Sequence, residues 1–530
     1  MERMVQRVPV SNAVQVIQSK RGFSSHHHNP FVILAEPETS EVCGSCYGAM
    51  LVYSGSYKIE AERDQQQMTR LILGLQDENF SWILSPGEAF ATPEVLFAYS
   101  AEGLGRLSSQ YHSFLRSHIC RGKFAHVRRP VLINNWEATY MRFDGEKIYQ
   151  IARQASELGI EMLVLDDGWF GNRNSDHTGL GDWVANEQKL GGSLNALVRR
   201  VHDLGMKFGL WFEPEMVSVD SDLYRAHPDW ALQVPGRSPA FSRSQLVLDL
   251  SRQAVQDYLY TSIAEILRNN QIEYVKWDAN RNLTDVFSTA LLPHRQGEVC
   301  HRYVLGLYAL LERLTSNFPD VLFEGCSGGG GRFDAGMLCY CPQIWCSDNT
   351  DPIARLQIQY GTSFGYPVCA VGSHVSASPN HQTGRSTPIH TRSVVAMSGS
   401  FGYELDLAKL SDGERSMIPK QIETYKRFWP LIAQGNYHRL TNAMTDHFFT
   451  AWQYSAPDGS ETLLNLVVLS PQSTAYPMHV YLRGLHPDKL YRLEGTQMQF
   501  SGAALMYGGY TFPRICGDYQ AVQLHFISTE

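Results

Sequence analysis

Long apolar runs are missing from this sequence of 530 residues: no stretch approaches the roughly 18 residues that a transmembrane helix needs. Long basic runs are missing too, and the net charge is −8, which makes nucleic acid and anionic membranes poor partners. The opening segment, MERMVQRVPVSNAV, lacks the apolar core of a secretory signal. With no such signal, reduced thiols are the default for the ten cysteines, and we expect a cytoplasmic protein.

Metal and phosphate sites are not indicated either. Cys43 and Cys46 have the CxxC spacing, but no second CxxC follows, and three cysteines between 339 and 346 have no histidine at zinc spacing. The glycine-rich run 327–332, SGGGGR, lacks the GK[ST] ending of a phosphate-binding P-loop. We therefore expect no metal, and a loop in which glycines allow a close approach of the backbone.

Three zones divide the chain. Residues 1–125 show short alternating strands and then a helical stretch over 107–120, which predicts part of an N-terminal β-sandwich with a connecting helix. Residues 126–436 alternate apolar strand patterns with helical patterns, as βα units do. Short alternating strands return over 437–530 and predict a C-terminal antiparallel β-sandwich.

The middle zone contains eight candidates for buried parallel strands. They are 131–136, 161–167, 207–213, 273–278, 321–326, 344–348, 366–371 and 394–402. Eight such strands with helices between them, over roughly 300 residues, predict a (β/α)8 TIM barrel with its site at the C-terminal strand ends. A ninth apolar run, 246–250, is placed in the long connection after the third strand.

Ionisable side chains follow many of these strands. They are Glu137, Asp166, Asp167, Glu213, Glu215, Lys276, Asp278, Glu324 and Asp348. One such residue is easily explained as a helix cap, but the whole set is not, because burying unpaired charge is costly. Carboxylates without partner histidines favour glycoside hydrolysis, which uses two carboxyl groups, over metal-assisted hydrolysis.

Tryptophans accompany the same strand ends and suit a sugar site, because an indole can stack on the C–H face of a pyranose. The six are Trp136, Trp169, Trp183, Trp211, Trp277 and Trp345. For any one of them, packing beneath the barrel rim is an equally good explanation. As a set they favour a carbohydrate substrate.

Six ordered motifs carry a resemblance to a known family. They are LDDGWFGNR (165–173), GLGDW (179–183), FGLWFEPEMV (208–217), YVKWDANR (274–281), CSGGGGRFD (326–334) and WCSDNTD (345–351). In this order they resemble the bacterial α-galactosidases of glycoside hydrolase family 36. The likeness extends beyond the motifs, from near the start of the chain to the segment 379–385 and further.

The resemblance implies a role for each matching position. Asp278 matches the nucleophile and Asp348 the acid/base, while Asp166 and Asp167 match the pair that holds the galactose O4 and O6 hydroxyls. Matches to the sugar-subsite lining are Trp136, Trp211, Arg243, Lys276, Asn280, Cys326 and Gly328. The resemblance also implies a retaining, cofactor-free, exo-acting enzyme on small α-galactosides, assembled as a homo-oligomer, often a tetramer.

The resemblance also leads to three expectations about chemistry and domain length. Asp278 is ionised and its pKa is held down by Lys276, whereas surrounding negative charge raises the pKa of Asp348. The two carboxyl groups lie about 5 to 5.5 Å apart, the retaining separation, rather than roughly 6.5 to 9.5 Å. The family's N-terminal β-sandwich is longer than the one here, so we expect a chain that lacks part of it.

Two other functions stay open. A transglycosylase of the raffinose- or stachyose-synthase kind shares the barrel and both aspartates, and differs in whether water or a sugar reaches the intermediate. An inactive sugar-binding remnant is compatible with the short N-terminal portion. An α-N-acetylgalactosaminidase is disfavoured, because Cys326 and Gly328 match positions that leave little room at the sugar's 2-position.

Overall fold

The computed structural model describes residues 2–11, 13–473 and 477–529. The N-terminal part of the chain forms two three-stranded sheets. Their strands are β1 (Gln15–Ser19), β2 (Phe31–Ala35), β3 (Cys46–Val52), β4 (Tyr57–Arg63), β5 (Thr69–Leu75) and β6 (Glu94–Ser100). One sheet has the order β1-β4-β5 and the other β2-β3-β6. The predicted helix over 107–120 is present as α1 (Gly103–Phe114) followed by one wider turn.

The middle of the chain forms a closed parallel barrel of eight strands, as predicted. Its strands, with one hairpin, are β7 (Leu132–Asn134), β8 (Met162–Leu165), β9 (Lys207–Phe212), β10 (Met216–Ser218), β11 (Gln245–Val247), β12 (Tyr274–Trp277), β13 (Leu322–Gly325), β14 (Gln343–Trp345), β15 (Val371–Ser376) and β16 (Ser400–Glu404). β10 and β11 pair with each other outside the barrel, so the ninth apolar run does lie in the connection after the third barrel strand. Because parallel strands direct their carboxyl ends to one side, the residues that follow them gather at one mouth.

Helices follow the strands and cover the barrel with their apolar faces. They are α2 (Trp136–Thr139), α3 (Gly145–Glu157), α4 (Glu187–Leu190), α5 (Leu194–His202), α6 (Asp222–Ala226), α7 (Gln253–Asn270), α8 (Val299–Asn317), α9 (Ser327–Gly330), α10 (Ala335–Leu338), α11 (Pro352–Thr362), α12 (Ile389–Ala396) and α13 (Asp412–Gln434). Asp144 and Ser193 cap α3 and α5 by accepting hydrogen bonds from the N–H groups of Lys147 and Ala196. These caps fix where the chain leaves each loop and becomes helical.

The predicted seventh and eighth strands are misplaced. The run 366–371 passes through a 3₁₀ turn at Val368–Ala370, and the strand begins only at its last residue. The run 394–402 begins inside α12, and β16 begins only at Ser400, so it contains just the last three residues of the run. In both places most of the buried apolar run belongs to the segment before the strand, whereas the strands themselves contain serine, glycine, histidine and glutamate inside the barrel. Periodicity alone does not separate a buried helix segment from a buried strand.

The C-terminal part of the chain is a sheet domain. Its strands are β17 (Asn436–Arg439), β18 (Phe449–Ser455), β19 (Glu461–Val468), β20 (His479–Val480), β21 (Leu490–Leu493), β22 (Gln499–Ser501), β23 (Tyr510–Thr511) and β24 (Ala521–Ser528). Six form one sheet of order β17-β18-β19-β24-β21-β22, and β20 pairs with β23. Leu464, Tyr491, Leu505 and Phe526 share one buried apolar core.

By their internal packing the residues group into two compact units. The first contains Met1–Val32, Ala49–Phe97 and Ser117–Asp348, and the second contains Ile33–Gly48, Ala98–Arg116 and Asn349–Glu530. All the predicted site residues belong to the first unit. Within the parts of the chain that the structure describes, no helix combines the length and the hydropathy needed to span a bilayer.

Candidate active site

Asp278, the predicted nucleophile, directly follows β12 and is nearly fully buried. The N–H groups of Ala279 and Gly328 donate to its Oδ1 at 2.8 and 3.0 Å. Trp211 Nε1 and Asn280 Nδ2 donate to its Oδ2 at 3.1 and 2.8 Å. Four donors on two oxygens fix the plane of the carboxylate and stabilise its charged form.

Electrostatics favour the ionised form of this carboxyl group. Burial by itself raises the pKa of Asp278, but the positive charge of Lys276 and the hydrogen bonds from Gly328 and Asn280 outweigh it and hold the pKa below its usual value. The expectation that Lys276 lowers the pKa of Asp278 is therefore confirmed. An aspartate that is ionised and held in one orientation is prepared to attack.

The glycine run after β13 connects Asp278 with Asp348. Gly328 has φ 61° and donates its N–H to Asp278, while Gly329 has φ 81°. A Cβ at residue 329 would lie 2.6 Å from the backbone N and 3.0 Å from the Cγ of Asp348. Glycine is needed there for conformation and for space, because Asp348 packs directly against the loop. Consecutive residues of one loop thus touch both predicted catalytic carboxyl groups.

Asp348, the predicted acid/base, lies three residues after β14 and is exposed, in contrast to Asp278. Its Oδ1 accepts a hydrogen bond from Trp345 Nε1 at 2.9 Å. The Trp345 ring is itself fully buried and lies 5.6 Å from the Lys276 ammonium group. A carboxyl group that is anchored at one oxygen and open to solvent can exchange protons with a leaving group and with water.

The adjacent acids Asp166 and Asp167 follow β8 and have different partners. Asp166 Oδ2 accepts from Lys276 Nζ at 3.0 Å and from Asn134 Nδ2 at 2.6 Å. One edge of the Arg173 guanidinium binds both oxygens of Asp167: Nε donates to Oδ1 at 3.0 Å and Nη2 to Oδ2 at 2.9 Å. Burial raises the pKa of Asp167 while Arg173 opposes that rise. Lys276 therefore links Asp166 to the surroundings of Asp278.

Two more predicted residues extend the contacts of the nucleophile candidate. Asn280 Oδ1 accepts from Arg243 Nη1 at 2.6 Å, so the Asn280 amide joins Arg243 to Asp278. Cys326 is buried, and burial together with the charge of Asp278 raises the pKa of its thiol well above the usual value. The thiol is consequently neutral and acts as a small, weakly polar wall.

Five of the six strand-end tryptophans are buried. Trp169, Trp183 and Trp277 are buried in packing, and the indole of Trp277 donates to Glu215 at 2.8 Å. Those of Trp211 and Trp345 are buried too, but donate to Asp278 and Asp348 as described above. Only Trp136 of the six is partly exposed, and its ring centroid lies 5.3 Å from that of Tyr140 in an edge-to-face arrangement. A stacking role therefore remains for Trp136 alone.

A buried ion pair that the motifs did not single out supports the glycine loop. Arg332 Nη1 and Nη2 donate to the two oxygens of Glu215 at 2.9 and 2.6 Å, and its Nε donates to Ser327 Oγ at 2.7 Å. Tyr303 adds a hydrogen bond to Glu215 at 2.6 Å. The pair ties the loop to the segment between β9 and β10. Both residues lie within quoted motifs, FGLWFEPEMV and CSGGGGRFD, but nothing in either motif predicts that they pair.

Removing one partner of this pair should weaken the fold. Arg332→Met leaves the Glu215 carboxylate buried and uncompensated, a loss of about 3 to 5 kcal/mol for such pairs. We expect thermal unfolding to begin several degrees lower than in the unaltered chain. Arg225→Met is the matched control, since Arg225 pairs with Asp220 and Asp222 at the surface and such pairs contribute about 0 to 1 kcal/mol. Equal melting curves for the two variants would refute the supporting role.

The predicted residues thus fall into one connected set. Lys276, Asn280, Trp211, Gly328 and Cys326 all contact or electrostatically affect Asp278, and Arg243 and Asp166 contact members of that group. Trp136 is connected to this set less directly. Its backbone N–H donates to the side chain of Asn134, which in turn donates to Asp166. Within the described residues no three His, Cys, Asp or Glu side chains group as a metal site.

Three family models match the chain in order. The glycosyl hydrolase family 36 N-terminal domain matches residues 1–85, the melibiase model matches 89–435, and the family 36 C-terminal domain matches 449–526. Together the three models account for most of the chain. The long central match contains every residue of the site described above.

Curated relatives are similar over nearly the whole chain. The bifunctional α-galactosidase/sucrose kinase AgaSK of Mediterraneibacter gnavus is 53% identical over 526 residues, which are 99% of this chain and 55% of that protein. α-Galactosidase AgaA of Geobacillus stearothermophilus is 48% identical, over 98% of this chain and 71% of its own length. The chain therefore spans between about half and three quarters of these relatives.

Solved structures of related α-galactosidases superimpose closely on this chain. The crystal structure of Geobacillus stearothermophilus AgaA superimposes with a TM-score of 0.98 at 47% identity, covering 99% of this chain and 73% of that one. A variant of AgaA was solved in complex with raffinose, and it superimposes equally well at 46% identity, with the same shares covered.

Proposed function

This chain belongs to the α-galactosidases of glycoside hydrolase family 36, and we propose that it removes terminal α-D-galactosyl residues from melibiose- and raffinose-type oligosaccharides with retention. Asp278 is the proposed nucleophile and Asp348 the proposed acid/base. The observation that carries this assignment is the glycine loop, which donates from Gly328 to an ionised Asp278 and packs Gly329 against an exposed Asp348. Raffinose binding to an AgaA variant supports the substrate class.

In the first proposed step the sugar–oxygen bond breaks and a sugar–enzyme bond forms. A carboxylate oxygen of Asp278 attacks the anomeric carbon while Asp348 gives its proton to the departing glycosidic oxygen. The four donors around Asp278 hold the attacking group in place, so little reorganisation is needed. The product of this step is a β-galactosyl ester, and Asp348 is left ionised.

In the second proposed step water displaces Asp278 from the anomeric carbon. Asp348, now a carboxylate, takes a proton from the incoming water, whose oxygen attacks the anomeric carbon and releases Asp278. The exposure of Asp348 supports this role, because the residue must meet both the leaving group and water. Two inversions at one carbon give α-galactose, and the cycle needs neither a metal nor a cofactor.

For substrate selection we propose that Asp166 and Asp167 receive the O4 and O6 hydroxyls of galactose. Both acids are buried and already oriented by Lys276 and Arg173, so their remaining acceptor capacity is directed. The lining is completed by Trp136, Trp211, Arg243, Lys276, Asn280, Cys326 and Gly328. The packed positions of Cys326 and Gly328 favour a 2-hydroxyl over a bulky 2-acetamido group.

Asp166→Asn should lower kcat/KM for an aryl α-galactoside by roughly 10- to 100-fold, the cost of one hydrogen bond to a charged group. A 4-deoxy-α-galactoside should lose as much with the unaltered enzyme, and the variant should lose little more on that substrate. Asp320→Asn, an exposed acid that pairs with Lys123 and contacts no residue of the site, is the control and should change neither value. Full additivity of the Asp166 change and the 4-deoxy change would contradict O4 recognition.

Location and assembly are proposals that rest on the same family. We infer a cytoplasmic homo-oligomer, with a tetramer as the state that the family resemblance implies, acting on small galactosides rather than on nucleic acid or membranes. All ten cysteines are free thiols, which is compatible with a reducing compartment. The division into 1–125, 126–436 and 437–530 is likewise proposed. Light scattering of the purified chain measures its mass, and a monomer would contradict the assembly.

Galactose release from raffinose by the purified chain tests hydrolysis against its two alternatives. The relatives named above are α-galactosidases, and none of these comparisons favours a transglycosylase. We expect free galactose to equal sucrose at low substrate concentration. A shortage of galactose with a new oligosaccharide would indicate transfer, and binding without release would indicate an inactive remnant.

A further inference from the structure

Glu213 is a buried acid next to the proposed nucleophile that the two-step reaction does not use. It directly follows β9 and is completely buried. Its Oε1 accepts the backbone N–H of Asn280 at 2.6 Å, and its Oε2 lies 3.2 Å from Gln245 Nε2. Asn280 also donates a hydrogen bond from its side-chain amide to Asp278, so this one residue bridges Glu213 and the proposed nucleophile.

No cation pairs with Glu213 among the residues that the structure describes. Glu215, two residues on and equally buried, is held by both Nη atoms of Arg332. The contacts of Glu213 are instead two amides, and the amide oxygen of Gln245 is buried without a hydrogen-bond partner. A carboxylate is costly in such surroundings, whereas a neutral acid can donate to the Gln245 oxygen once that amide is turned over.

The charged groups that face Glu213 come from three segments. Asp278, at the end of the neighbouring strand, is negative, whereas Arg173 and Arg243 are positive. Arg173 is already bound to Asp167, and Arg243 to Asn280. Either cation could neutralise an ionised Glu213 only by giving up a contact of the sugar site.

From these contacts we infer that Glu213 is a positioning residue that is protonated in the working enzyme, and that its neutral acid holds Asn280 against Asp278. This inference rests on the proposed function, since it gives Asp278 the nucleophile's role. Loss of the proton would place a second anion beside Asp278 and draw Arg173 or Arg243 away from its partner. Glu213 thereby sets an alkaline limit to activity that is separate from the acid/base.

The direction of the pH effect follows from the position of the proton. Burial, reinforced by the negative charge of Asp278, raises the pKa of Glu213 to about 8. For an acid whose pKa is raised on folding, the folded state keeps a proton that the unfolded state has lost. The loss of folding stability due to Glu213 therefore grows as the pH rises from the ordinary pKa of glutamate, near 4.5, to about 8, and then stays constant.

Kinetics with a dinitrophenyl α-galactoside isolate this limit, because its leaving group needs no proton from Asp348. We expect kcat/KM of the unaltered enzyme to fall several-fold between pH 7 and 9.5, and that of Glu213→Gln, which mimics the neutral acid, to stay flat. Glu213→Ala should lose about tenfold or more at pH 7, because Asn280 loses its anchor. Superimposable profiles of Glu213→Gln and the unaltered enzyme would overturn the inference.

Thermal unfolding supplies a readout that needs no activity. The melting temperature of Glu213→Gln should exceed that of the unaltered chain by a margin that grows between pH 5 and 8. Glu215→Gln is the matched control, since it removes a carboxylate that Arg332 pairs, and should melt lower at every pH. A margin independent of pH would overturn the inference. Failure of the proposed function looks different: no galactoside would be cleaved, while the pH-dependent margin would persist.

Discussion

Replacing Asp278 with glycine should lower kcat by a factor on the order of 10⁴ to 10⁶, because no other group can form the sugar ester. The structure gives a reason to expect little structural damage. The four donors that now bind the carboxylate face a space that water or a small anion can fill. Initial rates on an aryl α-galactoside measure the loss, with melting curves as the check on folding.

Azide separates a nucleophile from a structural carboxylate. In Asp278→Gly the anion should occupy the position of the missing oxygens and attack the substrate once, so activity returns as β-galactosyl azide. Asp278→Asn, which keeps the shape and fills the space, should not be rescued. Recovery of the α-azide, or activity of Asp278→Gly near that of the unaltered enzyme, would assign the nucleophile elsewhere.

Replacing Asp348 with alanine should produce a loss that depends on the leaving group. With raffinose we expect kcat/KM to fall by about 10² to 10⁴, the usual contribution of general acid catalysis. With a dinitrophenyl α-galactoside, whose departure needs no proton, the fall in kcat/KM should be less than about tenfold. The hydrogen bond from Trp345 to Asp348 disappears in this variant, but Trp345 remains buried and packed.

The product of azide rescue distinguishes Asp348 from Asp278. In Asp348→Ala the ester on Asp278 still forms, and azide then displaces it from the opposite side, so α-galactosyl azide should accumulate. Opposite anomers from the two variants are a strong internal control, since both experiments use the same substrate and the same anion. Equal losses on raffinose and on the dinitrophenyl substrate would show that Asp348 is not the acid.

The barrel could be predicted from sequence because its early strands are buried on all sides. β8, β12 and β13 read as short apolar runs between helical patterns, and the predicted positions contain them. β15 and β16 were shifted because their interior positions are polar. His374 and Glu404 contact each other at 3.0 Å inside the barrel, a pairing that hydropathy does not register.

The site was predictable to a different depth. Motif resemblance singled out Asp278 and Asp348 as the catalytic candidates, whereas the strand-end pattern alone left nine ionisable candidates. The motifs did not predict the partners of these acids, which are Arg173 on Asp167, Arg332 on Glu215, and the indoles on the two catalytic candidates. Some of these pairs join residues that are distant in sequence, and others depend on how a side chain is oriented in the fold. The sequence motifs determine neither property.

The anomer first released from an aryl α-galactoside tests the central claim most directly. Proton NMR of the freshly mixed reaction resolves α- and β-galactose before the free sugar equilibrates. Two displacements, by Asp278 and then by water activated by Asp348, predict that α-galactose appears first and β-galactose follows at the rate of spontaneous mutarotation. Release of β-galactose first would mean a single displacement and would contradict the covalent role of Asp278.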